Sequence, residues 1–272
     1  VVSIVPFLVQ LLTSLDPCPD CSVTHLFGHN RIARGYTTAR PHFHPEVVRR
    51  IGEHIRGGHL ERALDVGCGT GLSTAPLAVI ARQVIGVDAA LDMIAAAAPA
   101  PGVRYLAASA EELPFADNTF DLITVCGAIN WIDRQRFLPQ AGRLLRAAGT
   151  LVIYDGADLA SMVDNDGLAC WHRDSWRVRL PRPPRDERPL PGEEARRYGL
   201  CLDSVEEYVL EWPFTLDNYV AFLMTQSNVT DAVEGRGESA TVIESWLRTD
   251  LQALFAGQQQ RLRFGGYLWF LS

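Results

Sequence analysis

An apolar segment that runs into three closely spaced glycines, Leu64-Asp65-Val66-Gly67-Cys68-Gly69-Thr70-Gly71, restricts this chain more than any other feature. A buried strand passing through a glycine-rich turn into a helix is how an open α/β sheet receives an adenosine-containing cofactor. The glycines fall as G-x-G-x-G, and Leu72 stands where a dinucleotide fingerprint would need its last glycine, which disfavours a pyrophosphate cradle. A phosphate-binding loop would end in Gly-Lys-Ser/Thr, whereas Gly71 is followed by Leu72 and Ser73 with no lysine near. The backbone is therefore expected to pass close to an uncharged or cationic group.

The next apolar run, Gln83-Val84-Ile85-Gly86-Val87-Asp88, ends in a carboxylate about twenty residues beyond the turn, where it is placed to accept hydrogen bonds from both hydroxyls of an adenosine ribose. Asp65, before the glycines, is a candidate for the ammonium of an amino-acid tail. A third strand, 103–107, leads into Ala108-Ser109-Ala110-Glu111-Glu112-Leu113-Pro114-Phe115, a turn that can set a polar edge beside adenine. Taken alone, Asp88 reads equally as the N-cap of a helix at 89–97 and the glycines as sites of positive φ; their joint spacing favours the cofactor.

Four blocks carry a wider resemblance: LDVGCGTG at 64–71, VIGVDAALDMIAAA at 84–97, ASAEELPF at 108–115, and FDLITVCGAINWIDRQRFLPQAGRLLRAAGTLVIYDGA at 120–157. With Phe27-Gly28-His29-Asn30 through Tyr36 and Arg40-Pro41, they cover roughly half the chain in the order and spacing of a known family. The chain resembles the class I S-adenosylmethionine-dependent methyltransferases, in particular the type 11 group that includes trans-aconitate and ubiquinone/menaquinone-pathway methyltransferases. The resemblance implies that Gly67, Gly69 and Gly71, with Cys68 between them, form the turn approached by the methionine and ribose of S-adenosylmethionine, with Asp65 beneath and Asp88 as the ribose clamp. Ala89 and Met93 would flank adenine, Ser109, Ala110 and Glu111 would meet its edge, and Cys126, Gly127 and Ala128 would line the passage where the methyl group leaves, giving S-adenosylhomocysteine. Tyr36 would cover the methionine part. Asn130-Trp131 stands where the trans-aconitate-like members carry His-Trp, so a possible base is missing there.

The alternation of elements predicts a Rossmann-like, seven-stranded, mostly parallel sheet with an antiparallel last strand, helices on both faces, and a helical lid. Strands are expected near 61–66, 83–87, 103–107, 120–125 and 150–154, with helices near 46–57, 72–81, 89–98 and 134–147, the last closed by Gly149. Two late strands, near 203–212 and 260–270, alternate as an antiparallel pair would, and helices near 215–226 and 238–255 lie between them. This divides the chain into an N-terminal extension (1–25), a cofactor-binding core (26–157) and a lid or substrate region (158–272) that completes the sheet.

The formal charge of −7 argues against polyanion binding. Val125 before Cys126, and the absence of an Asn/Asp-Pro-Pro-aromatic motif there, argue against a nucleic-acid acceptor. The arginine- and proline-rich segment 173–188 reads as an exposed connection, with steering of an anionic substrate as the other possibility. Six scattered cysteines do not form a disulfide framework and fit a reducing cytoplasm; Cys18-Pro19-Asp20-Cys21 has no partner pair for zinc. The apolar run at 1–12 is too short to span a bilayer and lacks a basic start. No metal is expected: His42 and His44 lack a third ligand and read as surface or capping residues, while His54 and His59 read as solvent-facing.

Methyl transfer from a sulfonium asks little of the protein beyond alignment and exclusion of water, so a missing catalytic motif does not argue against it. Candidates for contact are Tyr36, Arg40, His42 and His44, then Asn130 and Trp131, then His172, Trp176, Tyr219 and Asn228 in the lid. The partner would be a small-molecule acceptor, methylated on a carboxylate, hydroxyl or carbon: the lid rings Trp171, Trp176, Trp212, Phe214, Tyr219 and Phe222 suit an apolar one, and Arg40 with the arginine cluster suits an acid. The protein would act as a monomer or homodimer. Competing readings are a cofactor-binding protein without turnover and an NAD-dependent oxidoreductase, the latter opposed by Leu72 and by the lack of a Tyr-x-x-x-Lys pair.

Overall fold

Segments rich in β-branched and aliphatic residues, each bounded by turn residues, become the strands of one eight-stranded sheet. The structure, a computed structural model, describes residues 30–55, 58–156, 160–190 and 192–272. The extension 1–25, the Cys18/Cys21 pair, Phe27 to His29 and Gly57 lie outside the described residues. The central strand β1 (Leu60–Val66) pairs in parallel with β2 (Ala81–Asp88) on one side and with β4 (Phe120–Cys126) on the other. Beyond β2 lies β3 (Val103–Ala107), and beyond β4 lies β5 (Leu145–Asp155), both parallel. The chain thus leaves β1 in one direction and later returns to its other side, so the sheet order reverses at the carboxyl end of β1. Such a switch point opens a crevice that the strand ends share.

The sheet is completed by β8 (Gln260–Leu271), antiparallel to β5, and by β7 (Leu202–Phe214), antiparallel along the whole of β8. The eighth strand, absent from the expectation, is the two-residue β6 (Ser161–Met162), which pairs with β8 where β5 no longer reaches it. Only Tyr267–Leu271 of β8 pairs with β5, so the other halves of β7 and β8 extend past the main sheet. Phe214, Leu262 and Phe264 on those extensions join a separate apolar core with Trp176, Tyr219, Phe222, Leu247 and Phe255. That core lies in the segment expected to form the lid.

Helix α1 spans Asn30–Ala39 and α2 His44–Ile55. The buried face of α2 (Val47, Val48, Ile51) covers one side of the sheet with Val84, Leu122, Val152 and Phe270. Several helices are shorter than the pattern suggests. The expected helix at 72–81 is α3 (Thr74–Leu77), which includes Pro76 and gives way to β2 at Ala81. The one at 89–98 is α4 (Leu91–Ala95), ended ahead of Pro99 and Pro101, which disfavour helical backbone before them. The one at 134–147 is α5 (Arg134–Leu144), capped by Asp133, whose carboxylate accepts from Gln135 N at 2.9 Å, and its Phe137, Leu138 and Ala141 cover the other side of the sheet. Gly149 does not end it. Leu145 already pairs with Phe120 and Thr150 with Leu122, so residues 146–149 bulge from the ladder.

After β6 come α6 (Gly167–Trp171), a π-turn over His172–Trp176 and α7 (Arg177–Arg179). The first part of the arginine-rich segment is therefore helical, not an open connection, with Trp176 buried inside the lid. Helix α8 (Gly192–Arg197) precedes β7, and α9 (Leu216–Leu223), α10 (Ser227–Thr230) and α11 (Ala240–Phe255) fill the long connection between β7 and β8. Among the described residues no helix is long and apolar enough to cross a membrane.

Candidate active site

The site forms where β1, β2 and β4 end side by side. Gly67 and Gly69 both hold positive φ, +69° and +54°. A Cβ on Gly67 would lie 2.4 Å from that of Ala128, so a glycine is what lets the turns after β1 and β4 touch. A Cβ on Gly69 would meet nothing within 4 Å, so this part of the turn faces open space. Gly71 instead backs onto the Tyr105 ring, which closes the turn from β3.

Asp88 joins the two strand ends. One carboxylate oxygen accepts from Gly69 N and the other from Ala90 N, each at 2.8 Å. Asp88 is not the N-cap of α4, a position that Ala90 takes; its carboxylate bonds Ala90 N and holds the glycine turn beside it. Burial raises its carboxyl above the ordinary value, opposed by those two N–H groups.

Asp65 behaves differently from the expectation. It is fully buried and accepts from three hydroxyls, Ser73 Oγ at 2.6 Å, Thr74 Oγ1 at 2.7 Å and Thr124 Oγ1 at 2.8 Å. The carboxylate ties β1, the start of α3 and β4 together beneath the turn, and its carboxyl is raised by desolvation. An ammonium contact finds no support in this geometry, because those hydroxyls surround the side chain. Cys68 is buried next to it, a packing residue whose thiol burial pushes up.

Ala89 is exposed and Met93 is buried against Ile32, Ala33 and Ala90, with Tyr36 packed on the same cluster. Helix α1 therefore lies over α4 at the edge of the crevice. Ser109 Oγ donates to Glu111, whose other oxygen accepts from Asp133 N at 2.9 Å. The turn holding Ser109, Ala110 and Glu111 is thus linked to the start of α5.

At the end of β4, Gly127 adopts φ +60° and donates to Tyr154 O at 2.9 Å. The Cys126 thiol lies 3.9 Å from His44 Nδ1, which is also 3.3 Å from Tyr154 Oη. His44 is buried, contrary to the surface reading, while His42 is exposed. Burial, then the charges of His42 and Arg40, push the imidazole down to about 3, so it is neutral at ordinary pH. Burial likewise pushes the Cys126 thiol well up, which makes it a poor nucleophile. His54 stacks 3.7 Å from the Phe270 ring while keeping 31% of its side chain exposed, and His59 is exposed.

Asn130 and Trp131 sit in a short 3-10 turn after β4. Asn130 O accepts from Asp186 N at 3.0 Å, and the Arg185 guanidinium lies 5.6 Å from the Trp131 ring, so the second part of the arginine segment covers this turn. The lid candidates are not gathered here. His172, Trp176, Tyr219 and Asn228 are all buried, with His172 Nε2 and Tyr219 Oη 2.8 Å apart and Asn228 Nδ2 donating to Leu180 O at 3.0 Å. They hold the lid together, as do Trp171, Phe214 and Phe222. Sequence reading missed Tyr105, Tyr154 and Tyr208; the last donates to Asp155 O at 2.9 Å. Their alternation in strands was the available signal, and it reads as ordinary packing.

A surface groove of about 490 Å³ lined by Arg49, Arg50, Glu53, His54 and Glu206 lies between α2 and β7, away from the glycine turn, and is crossed by its own ion pairs. Among the described residues no group of three or more His, Cys, Asp and Glu could hold a metal ion.

A mostly parallel sheet with a glycine turn at its switch point and an antiparallel last strand defines a Rossmann-like fold. Comparison with known proteins narrows the class. Residues 64–153 match the family described as methyltransferase domain. An uncharacterized methyltransferase of Mycobacterium tuberculosis is 32% identical over 158 residues, 54% of this chain and 62% of the relative. A demethylmenaquinone methyltransferase of Mycolicibacterium vanbaalenii is 36% identical over 106 residues, 39% of this chain and 46% of its own. The structure of a protein assigned as a type II methyltransferase from Anaeromyxobacter dehalogenans superposes with a TM-score of 0.65 at 22% identity, covering 83% of this chain and 94% of that one, and shares its fold. The chain spans 51 to 62% of the length of its first curated relatives.

Proposed function

We propose that the protein transfers a methyl group from S-adenosylmethionine to a small-molecule acceptor, leaving S-adenosylhomocysteine. The observation that carries this reading is the turn at Gly69, open to space and held by the Asp88 carboxylate at the switch point of the sheet. Asp88 keeps lone pairs on both oxygens for ribose hydroxyls after accepting from Gly69 and Ala90. Two carboxylates behind the turn, the buried Asp65 and the half-buried Asp88, make it hospitable to a cation and hostile to a pyrophosphate. Met93 with Tyr36 supplies an apolar flank, and the Ser109 to Glu111 turn supplies polar atoms near the end of β3.

When bound, the sulfonium supplies an electrophilic methyl carbon: the acceptor's lone pair forms the new bond, and the electrons of the breaking carbon–sulfur bond stay on sulfur. What this chain does is align and dry the site. Helix α1 and helix α9 meet, and Gly127 and Ala128 leave little side-chain bulk at the end of β4. No strongly basic group is needed if the acceptor is already ionised. The cofactor-binding core and lid thus divide the task near residue 157. The four described cysteines are all free, which fits a cytoplasmic setting.

Calorimetric titration with S-adenosylmethionine, S-adenosylhomocysteine and NAD, with Asp88→Ala beside the wild type, tests the proposal. Micromolar binding of the first two, weakened at least about a hundredfold in the variant, equivalent to ~2.7 kcal/mol, is expected. Binding of NAD alone, or of none of the three, would overturn it.

A further inference from the structure

Arg40 follows α1 and reaches across to the end of α9. Its Nη2 donates to Tyr36 Oη at 2.8 Å and to Thr225 O at 3.1 Å. The guanidinium carbon lies 4.2 Å from the Tyr36 ring centre and 5.5 Å from that of Phe222. Both oxygen partners are neutral, and no carboxylate among the described residues pairs with it. Its Nε is buried with no hydrogen-bond partner.

That arrangement is costly without a ligand. The side chain is half-buried, but its Nε is cut off from water, and leaving that N–H unsatisfied has a cost. Elsewhere in this chain the charge is met by a carboxylate: Arg146 pairs with Asp121, Arg143 with Asp117, and the buried Arg134, which also leaves Nε and Nη1 without hydrogen bonds, lies 3.6 Å from Asp186. Arg40 is also near the reacting end of the sheet, since its charge contributes to holding His44 neutral, after burial and His42, and acts on the Cys126 thiol.

We propose that Arg40 anchors the acceptor, which therefore carries a carboxylate on an apolar body. A guanidinium offers planar, paired N–H groups that match a carboxylate, and the Tyr36 and Phe222 rings on its flanks suit a hydrocarbon or aromatic group beside that charge. Arg40 also links the residue that covers the cofactor's side, Tyr36, to the backbone of the lid at Thr225, so the bound anion would join both covers of the site. This inference rests on the methyltransferase reading and deepens it.

The test compares acetate, butyrate, benzoate and phenylacetate with their primary amides, by calorimetry on the full chain saturated with S-adenosylhomocysteine. At least one acid is expected to bind ten-fold or more tightly than its amide, Arg40→Gln to abolish that preference, and Arg40→Lys to retain only part of it. Wild-type protein that takes S-adenosylhomocysteine but binds no acid better than its amide overturns the inference while leaving the methyltransferase reading intact. So does an Arg40→Gln protein that keeps the preference. Failure of the wild type to bind S-adenosylhomocysteine overturns the reading on which both rest. The acid-to-amide comparison in the wild type decides the matter even if the variants do not fold.

Discussion

At the carboxyl ends of β1 and β2 the structure is fixed by backbone: three positive-φ glycines, and two carboxylates that bind N–H and hydroxyl donors. Between β7 and β8 it is fixed by rings, where Phe214, Tyr219, Phe222, Phe255 and Phe264 meet with centroids 5.6 to 6.1 Å apart. One region depends on where the chain can go, the other on what fills space. The first leaves Gly69 facing open space; the second is filled by its own rings. Damage to each should show in a different observable.

The largest effect is expected from Phe255→Ala. Phe255 is fully buried at the end of α11, and its removal should lower unfolding free energy by roughly 3–5 kcal/mol. Urea unfolding measures that cost, and calorimetry on the folded fraction should find S-adenosylhomocysteine affinity unchanged within about threefold. A parallel loss of affinity would mean the two regions are not separable. Gly67→Ala attacks the other side of the comparison. Its new methyl would stand 2.4 Å from Ala128 Cβ at positive φ, combining backbone strain with a clash, at a cost of about 2–4 kcal/mol. Here cofactor binding should fall more than tenfold in protein that is still folded. Retained affinity would show that the turns after β1 and β4 need not touch for the site to work.

The same division explains what could be read from sequence. The glycine spacing and the buried runs around 63–66, 84–87 and 120–125 are local signals, and the sheet follows them closely; β3 at 103–107 matches to the residue. Helix lengths were overestimated where prolines at 76, 99 and 101 cut a periodic pattern short. The partners of Asp65 were hidden, since Thr124 comes from a strand 59 residues away and a hydroxyl in a strand carries no mark of its target. His172, Tyr219 and Asn228 drew attention as polar or aromatic residues in a lid, and tertiary packing turned them into interior hydrogen bonds. His44 was misplaced for the converse reason: flanked by the exposed His42, it points inward with Phe43 once α2 lies on the sheet.

His44 sits between the two regions, and pH gives a way to weigh it. Its imidazole is pushed from 6.5 to about 3 in the folded protein, chiefly by burial. The unfolded chain therefore takes up a proton below about pH 6.5 that the native state refuses, and stability from this residue is complete above that value and lost as pH falls, until about 3. Down to about pH 5 the loss should be about 2 kcal/mol, at ~1.4 kcal/mol for each pH unit. Asp65 and Asp88, whose carboxyls burial raises, act in the opposite sense and gain stability as pH falls. The wild type must therefore be compared with His44→Gln, in which those two contributions cancel and the amide can still reach Tyr154 Oη. Urea unfolding at about pH 7 and pH 5 should show the wild type losing about 2 kcal/mol more than the variant. Equal losses would mean that water reaches the imidazole, and that the end of β4 is as open as the glycine turn instead of being sealed on the side facing α2.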